Sequence, residues 1–205
     1  MATFQVQIED LIGDDVGASS SDTAAMSDWL TAGAREVLEI LHPNKLKRIL
    51  SQDAFVNTID VEGKKVLTVT RNDGTIDHPC REVLPSMRGR VIDSNYMEYA
   101  TNTDPVYYVD NQLLTVKPDS SGSNQRLTFV NSAITVAYGD SAITSFPDEA
   151  EQAVVLYAAR NGMQRRIADA NTAEDVELIS GLLEQYKAID GQYKEEIQTL
   201  KGSGV

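Results

Sequence analysis

The 205-residue chain has few of the residues that build common metal, redox or membrane-spanning structures. One cysteine, Cys80, excludes an intramolecular disulfide and any site with several cysteine ligands. The apolar runs fall short of the ~18 residues that a membrane-spanning helix needs. The first ten residues also lack the basic and apolar regions of a signal peptide. We therefore expect a protein kept in the cytoplasm, or in a particle assembled there, with no membrane partner.

Basic residues are also scarce relative to acidic ones. The chain has 18 Lys and Arg against 31 Asp and Glu, for a formal net charge of −13. This balance disfavours wrapping nucleic acid, which needs concentrated cations to neutralise phosphates. Three interpretations of the basic residues stay open: a solvated helix face, an acidic protein partner, or a nucleic acid. The residues concerned are Lys45, Lys47, Arg48, Arg160, Arg165 and Arg166.

The residues that could carry chemistry do not form a recognisable catalytic or metal-binding pattern. His78 and Cys80 could both bind a metal, but two ligands do not complete a site. His42 precedes a proline at a helix break, and Asp14-Asp15 is typical of an acidic loop. A glycine-rich phosphate loop and a G-x-S-x-G motif are missing from the sequence. We expect no enzyme activity, no catalytic residue, no cofactor and no metal.

The N-terminal quarter has helical periodicity. Apolar residues recur at helical spacing from Met26 to Leu41, with Trp29 and Leu30 on the apolar face, after a small, polar stretch at 13–23. Pro43 can open a short second helix, because proline suits the first helical position. We predict two N-terminal helices, with flexible ends at 1–21 and 201–205.

The middle of the chain has the composition of strands. Segments 54–61 and 65–71 are rich in β-branched residues, and 75–84 could form a third strand that Pro79 restricts to a sheet edge. Two more strands flank a tight turn at Asp110-Asn111, and 126–138 returns as extended chain. These patterns predict an antiparallel β meander inserted at 54–140.

Helical periodicity resumes at Pro147 and predicts one helix to about Ala168 and a last helix at 173–200. An apolar seam with three-and-four spacing indicates packing along a partner helix. The predicted seam is Val176, Ile179, Leu183, Tyr186, Tyr193, Ile197 and Leu200, interrupted by Asp190. We expect an α+β fold of one domain over 1–205. Its helical body comprises 22–52 and 147–200, including two long antiparallel C-terminal helices.

Several segments resemble a known family. FPDEAEQAVVLYAARNGMQRRIADANTAEDVELISGLLEQY is similar to the closing helical pair of tailed-phage head–tail connector proteins. MSDWLTAGAREVLEIL resembles their opening helix. RNDGTIDHPCREV and NTDPVYYVDNQLLTV resemble the β insertion of virion structural proteins. Together these segments reach from about Met26 to Tyr186.

The resemblance implies a virion structural protein, an adaptor in the neck between capsid and tail. Such adaptors form a ring of about twelve copies, docked between the portal protein and a stopper, tail or nozzle protein. Genomic DNA would pass through an acidic lumen without specific binding. The long β region is closer to the adaptors of short-tailed phages than to those of long-tailed phages. The alternative is another tail or baseplate structural protein.

The resemblance also implies that the C-terminal segment grips the portal. Ile197 and Leu200 would be apolar anchors, Lys194 and Lys201 would meet acidic portal residues, and Val205 would end the segment. A frayed terminus or a remnant of an expression linker are the alternatives. Deletion of 198–205 is then expected to leave stability nearly unchanged and to weaken portal binding.

Overall fold

The computed structural model describes residues 2–13, 20–122, 124–173 and 176–202. The chain divides into two compact units. The helical unit comprises Met1–Ile49 and Ala133–Val205, and the β unit comprises Leu50–Ser132. N-terminal helices precede β-sheets, and two long packed helices follow them, which confirms the predicted α+β class.

The helical unit is organised around one central helix. Its helices are α1 (Phe4–Ile12), α2 (Ser20–Ile40), α3 (Pro43–Leu46), α4 (Asp148–Thr172) and α5 (Val176–Lys201). Helix α4 packs against α1, α2 and α5. Its buried positions are rich in alanine, so neighbouring backbones can approach closely. Pro147 is its N-cap and acidic residues fill its first turn, where the helix dipole favours them.

Helix α1 corrects the prediction that residues 1–21 are flexible. Phe4, Ile8 and Ile12 recur every four residues and are all buried. Thr3 caps the N-terminus, and Gly13 ends the helix in the left-handed conformation that glycine adopts without strain. Residues 14–19, including Asp14 and Asp15, lie outside the described residues.

The C-terminal end of α1 is held by the two long helices. The Leu11 carbonyl accepts a hydrogen bond from Gln185 Nε2, and the Ile12 carbonyl accepts one from Arg166 Nη1, each at 2.7 Å. Carbonyls at a helix C-terminus have no partner within the helix, so these side chains satisfy them. Helix α1 is therefore anchored in the helical unit by both apolar and polar contacts.

An extended segment after the β unit is bound by one face of α2. Ser27, Thr31 and Arg35 are spaced four residues apart, so they lie on one side of the helix. Ser27 Oγ accepts from the Tyr138 N–H at 3.1 Å, and Thr31 Oγ1 accepts from the Val136 N–H at 3.0 Å. These side chains satisfy backbone groups as a neighbouring strand would. The segment predicted as extended at 126–138 therefore leaves the sheet after Asn131.

Helices α4 and α5 are antiparallel, as predicted, but the seam of α5 differs from the predicted one. Gln164 contacts Tyr186, and Arg160 contacts Asp190 farther along α5. The buried residues of α5 are Leu182, Ile189, Tyr193 and Leu200. Leu183, which the sequence placed in the seam, is exposed, and the side chain of Val176 lies outside the described part.

Gly33 allows α2 and α4 to pack closely. A Cβ at this position would lie 2.8 Å from Cδ1 of Tyr157, whose ring is packed edge-on against that of Tyr193. We expect overpacking in Gly33→Ala to cost about 1–3 kcal/mol, of which alanine's higher helix propensity returns roughly 1 kcal/mol, so the free energy of unfolding should fall by up to about 2 kcal/mol. Gly181→Ala, where a Cβ meets nothing within 4 Å, should stabilise instead. Urea unfolding followed by the single tryptophan measures both, and changes of equal sign would contradict this account of Gly33.

The β unit contains two four-stranded sheets instead of a sequential meander. The strands are β1 (Ser51–Phe55), β2 (Thr58–Asp60), β3 (Lys64–Asn72), β4 (Asp77–Pro79), β5 (Arg81–Glu82), β6 (Val106–Asp110), β7 (Leu113–Lys117) and β8 (Gln125–Asn131). One sheet has the order β1-β8-β3-β4, and the other has the order β2-β7-β6-β5. Buried side chains from both sheets share one core cluster. All pairs are antiparallel except β5 with β6, which are parallel.

The predicted third strand at 75–84 is divided between the two sheets. Strand β4 pairs with β3 and ends at Pro79, and β5 then joins β6 in the other sheet. Pro79 lies on an edge strand, as its missing N–H requires. Cys80 lies at the change of sheet and packs against the shared core.

Candidate interaction surface

The residues considered as metal ligands or nucleophiles have structural contacts. His42 Nδ1 accepts a hydrogen bond from the Asn44 N–H and caps α3. His78 Nε2 lies 2.9 Å from Asp73 Oδ2. Burial raises the pKa of the Cys80 thiol to about 12, which disfavours the reactive thiolate. Within the described ranges, no group of three His, Cys, Asp or Glu side chains could hold a metal ion.

We expect the turn between β3 and β4 to lose stability in strong acid. The Asp73 carboxylate accepts hydrogen bonds from the Ile76 and Thr75 N–H groups and faces His78. These contacts, led by the Ile76 N–H, lower the pKa of Asp73 from 3.8 to about 2. Because the folded pKa is the lower one, this stabilisation is present above pH 3.8 and is lost as the pH falls through about 2.

An NMR titration of the Asp73 carboxyl carbon measures this effect directly. The midpoint should lie near 2 in the folded chain. A midpoint at the ordinary value of 3.8 would contradict the hydrogen-bonded arrangement.

A long irregular loop connects the parallel strands β5 and β6. Residues 83–105 contain the 3-10 turn Pro85–Met87 and otherwise turns and bends. Its residues Val83, Val91 and Ala100 pack with Val106 of β6 in a small apolar cluster of the β unit. Ordered loops of this length without their own helices or strands are commonly functional.

This loop buries small apolar side chains and exposes large ones. The exposed residues are Leu84, Ile92, Tyr96, Met97 and Tyr99. Their exposed fractions range from 39% for Tyr99 to 100% for Met97. Burying a large apolar side chain stabilises a protein by about 1.5–3 kcal/mol, which these positions do not gain in the isolated unit. Large apolar side chains exposed along one loop are candidates for contact with a protein partner. We call residues 84–99 the exposed loop.

Arginines accompany the apolar residues. Arg88 and Arg90 belong to the exposed loop, and Arg81 precedes it in β5. Their carboxylate partners are Asp110, Glu98 and Asp104, at 3.6, 3.9 and 3.3 Å respectively. Exposed ion pairs such as these contribute about 0–1 kcal/mol to stability, so a partner can bind the guanidinium groups at little cost.

Arg90 also lies over the Tyr96 ring. Arginine, tyrosine and methionine are enriched at protein interfaces.

A shallow cleft lies beside the exposed loop. Ile92 and Tyr99 line it together with Lys117 and Asp119, and its volume is about 140 Å³. Pockets for small-molecule cofactors are typically about 300–1,000 Å³. The cleft therefore suits an inserted side chain from a protein partner better than a cofactor.

The predicted portal-binding residues do not share one environment. Lys194 Nζ bonds Asp190 at 2.6 Å and remains exposed, as does Lys201. Ile197 is half-buried, and Val205 lies outside the described residues. Leu200 is 1% exposed, which corrects the expectation that it is available as an anchor. Residues 198–201 are helical, and Leu200 is the one buried residue among them, so the C-terminal end of α5 contributes to the core through this side chain.

The basic residues of α4 hold the helical unit together. Arg165 pairs with Asp22 at 2.7 Å, and Arg166 binds α1 as described above. The Arg160 guanidinium lies over the rings of Tyr157 and Tyr193, with centroid distances of 5.0 and 4.6 Å, and pairs with Asp190. Asp190, the polar interruption of the predicted seam, is therefore a paired position at the interface of α4 and α5. Sequence reasoning had considered a solvated face, an acidic partner or nucleic acid for these arginines.

The comparisons with known proteins add no identity to these observations. No family model matches the chain, and no curated protein sequence matches it. In the described part of the chain, every helix is too short or too polar to cross a bilayer. The exposed loop, supported on its small apolar cluster, remains the feature that most needs a functional explanation.

Proposed function

We propose that the chain is a structural subunit of a tailed-phage virion, a head-to-tail adaptor. In this proposal a ring of about twelve copies joins the portal to the neck or tail. The observation that carries the proposal is the exposed loop. A subunit that functions within an assembly needs large apolar side chains on its surface, whereas an isolated monomer gains nothing from them.

The order of elements supports the same function. The segments that resemble head–tail connector proteins extend from α2 into α5, from about Met26 to Tyr186. A ring subunit also needs two different contact surfaces, because a head-to-tail contact joins unlike patches. A helical unit and a β unit on one chain can supply these two patches.

The charge distribution supports passage of DNA through the ring. The helical unit contains 20 of the 31 acidic residues and 10 of the 18 basic residues. Clustered cations would hold DNA through phosphate neutralisation, whereas an acidic wall repels phosphates. In the proposed ring, acidic surface of the helical unit contributes to the lumen, and DNA is not bound specifically.

Labelling of virions tests the proposed function. Gold-labelled antibody against the chain should mark the junction of head and tail in micrographs of purified particles. A phage lacking the protein should produce DNA-filled heads without tails. Label at the distal tip of the tail would instead favour the baseplate alternative. Absence of the chain from purified particles would exclude both.

Portal capture tests the residues proposed at the end of α5. Lys201→Glu should weaken capture of the chain by immobilised portal protein, because it places a negative charge where acidic portal residues are expected. Lys187→Glu makes the same change at another exposed position of α5 and is the matched control. Equal capture of both variants would remove Lys201 from the proposed contact.

A further inference from the structure

We propose that Arg71 and Gln125 are positioning residues that hold the two walls of the cleft beside the exposed loop. The inference deepens the proposed function, because it concerns how the exposed loop is presented to a protein partner. Among the described residues, Arg71 and Gln125 are the buried polar ones, with exposed fractions of 5% and 0%. They lie opposite each other in β3 and β8, so both side chains are on one face of the sheet. This is the face that carries Val69 and Leu127 of the shared core.

Arg71 holds the wall that belongs to the exposed loop. Its Nη1 donates a hydrogen bond to Asn102 Oδ1 at 2.8 Å. Asn102 is two positions after Ala100, which lines the cleft and whose N–H donates to the Val91 carbonyl at 2.9 Å. The hydrogen bond from Arg71 therefore fixes the chain where it returns from the exposed loop towards β6.

Gln125 holds the opposite wall, which is formed by residues 117–119. Its Nε2 donates to Ser120 Oγ at 3.0 Å and to Asn57 Oδ1 at 3.1 Å, and its Oε1 accepts from the Asn57 N–H at 3.2 Å. The Asn57 side chain in turn binds the N–H and the carbonyl of Ser120. This network fixes the chain directly after the wall.

Stability alone does not account for an arginine at position 71. A charged group loses its hydration when it is buried, and hydrogen bonds must replace that hydration. The buried Nε of Arg71 has no hydrogen-bond partner in the described part of the chain. Apolar side chains of similar volume can often replace buried charged groups without loss of stability. An apolar side chain at this position could not donate the hydrogen bond to Asn102, so we assign the arginine to that contact.

Order at the base of the exposed loop favours binding. The loop contains one 3-10 turn and otherwise turns and bends, so its conformation depends on contacts with the rest of the β unit. A loop that is already ordered loses less conformational freedom when a partner binds, and its affinity is higher for that reason. Arg71 and Gln125 thus act on binding from buried positions that the partner does not reach.

Hydrogen exchange of the full chain, measured by mass spectrometry, tests the role of Arg71. In Arg71→Met, the amides at 84–104 should exchange at least about tenfold faster than in the wild type. The amides at 66–69 and 127–130 in β3 and β8 should exchange no faster, because the variant removes a buried charge without removing apolar packing. A residue with only a structural role would instead accelerate exchange throughout the β unit.

A double-mutant cycle tests whether Arg71 acts through Asn102. Asn102→Ala should accelerate exchange at 84–104 as Arg71→Met does, and the double variant should accelerate it no further. Because Asn102 is exposed, its variant also keeps the test valid if Arg71→Met fails to fold. The matched control is Arg126→Met, which changes an exposed arginine on the other face of β8 and should leave exchange in the loop unchanged.

Gln125→Met tests the opposite wall. It should accelerate exchange at 119–122 at least about tenfold, and by more than at 127–130 in the same sheet. Unchanged or uniformly accelerated exchange would overturn the role of Gln125. The same results at 84–104 in Arg71→Met, or additive effects in the cycle with Asn102, would overturn the role of Arg71.

The yield of tailed particles measures the consequence for binding. In a phage whose own copy of the gene is deleted, the supplied Arg71→Met chain should lower this yield at least about tenfold, whereas Arg126→Met should keep it. A normal yield with a loosened loop would overturn the proposed effect on binding. The exchange results do not depend on the adaptor function. Absence of the chain from purified particles would remove that function and leave the positioning of the two walls intact.

Discussion

Ile8→Ala should lower the free energy of unfolding of the helical unit by about 2–5 kcal/mol. Ile8 is fully buried at the centre of α1, between Phe4 and Ile12. Deletion of residues 2–13 removes all three side chains and exposes the surfaces that they cover. Since domains are stable by only about 5–15 kcal/mol, we expect the truncated helical unit to lose cooperative folding.

Val6→Ala is the matched control, because Val6 lies on the same helix and is 45% exposed. It should change stability by less than about 0.5 kcal/mol. The single tryptophan, Trp29, is half-buried in α2 and reports on the helical unit during urea unfolding. Equal losses for Ile8→Ala and Val6→Ala would contradict the docked position of α1.

Leu200→Ala should lower the free energy of unfolding by about 2–5 kcal/mol, because Leu200 is almost completely buried at the end of α5. Deletion of 198–205 should lose at least as much. This reverses the expectation from the sequence, which treated the same deletion as neutral for stability. Weakened portal binding by that truncation would then be difficult to separate from unfolding, so Lys201→Glu is the better test of portal binding.

Thr199→Ala provides the comparison for Leu200→Ala. Thr199 is exposed, and its hydroxyl donates a hydrogen bond to the Glu195 carbonyl within the same helix. Its loss should change stability by less than about 0.5 kcal/mol in urea unfolding. A Leu200→Ala variant as stable as Thr199→Ala would mean that the end of α5 is frayed in solution.

Features with local causes were predicted from the sequence. The turn between β6 and β7 is an example, although its central residues are Asn111 and Gln112, with positive φ of 49° and 65°, one position after the predicted Asp110-Asn111. A type I′ hairpin turn requires positive φ at both central residues, and asparagine tolerates it well. Pro147 opens α4 and Pro79 lies on an edge strand for similar local reasons. The α+β class follows from the same local periodicities.

The sequence pattern of α1 was present but was not recognised. Phe4, Ile8 and Ile12 have helical spacing, yet a nine-residue helix is marginal by itself in water. Its stability comes from docking, including the hydrogen bonds that Gln185 and Arg166 donate to its end. Contacts across more than 150 positions of chain cannot be read from a local window.

The exposed loop was not predicted as a site for a related reason. Tyrosines such as Tyr96 and Tyr99 occur both in cores and at interfaces, so residue type alone does not place them. Leu84, Ile92 and Met97 have the composition of core residues, and periodicity is weak in an irregular loop. Their exposure depends on which side chains fit over the small cluster of Val83, Val91, Ala100 and Val106, and that is a property of the packed structure.

The sequence by itself determined the order of helices and strands, the local turns and the acidic balance of the chain, because these depend on neighbouring residues and on composition. Tertiary structure alone decided the rest. The α5 seam contains Leu182 and Ile189 instead of Leu183, and Asp190, next to Ile189, pairs with Arg160 of α4. The strands separate into two sheets, and large apolar residues stay exposed on the loop. Which side chains become buried depends on packing between segments that are distant in sequence.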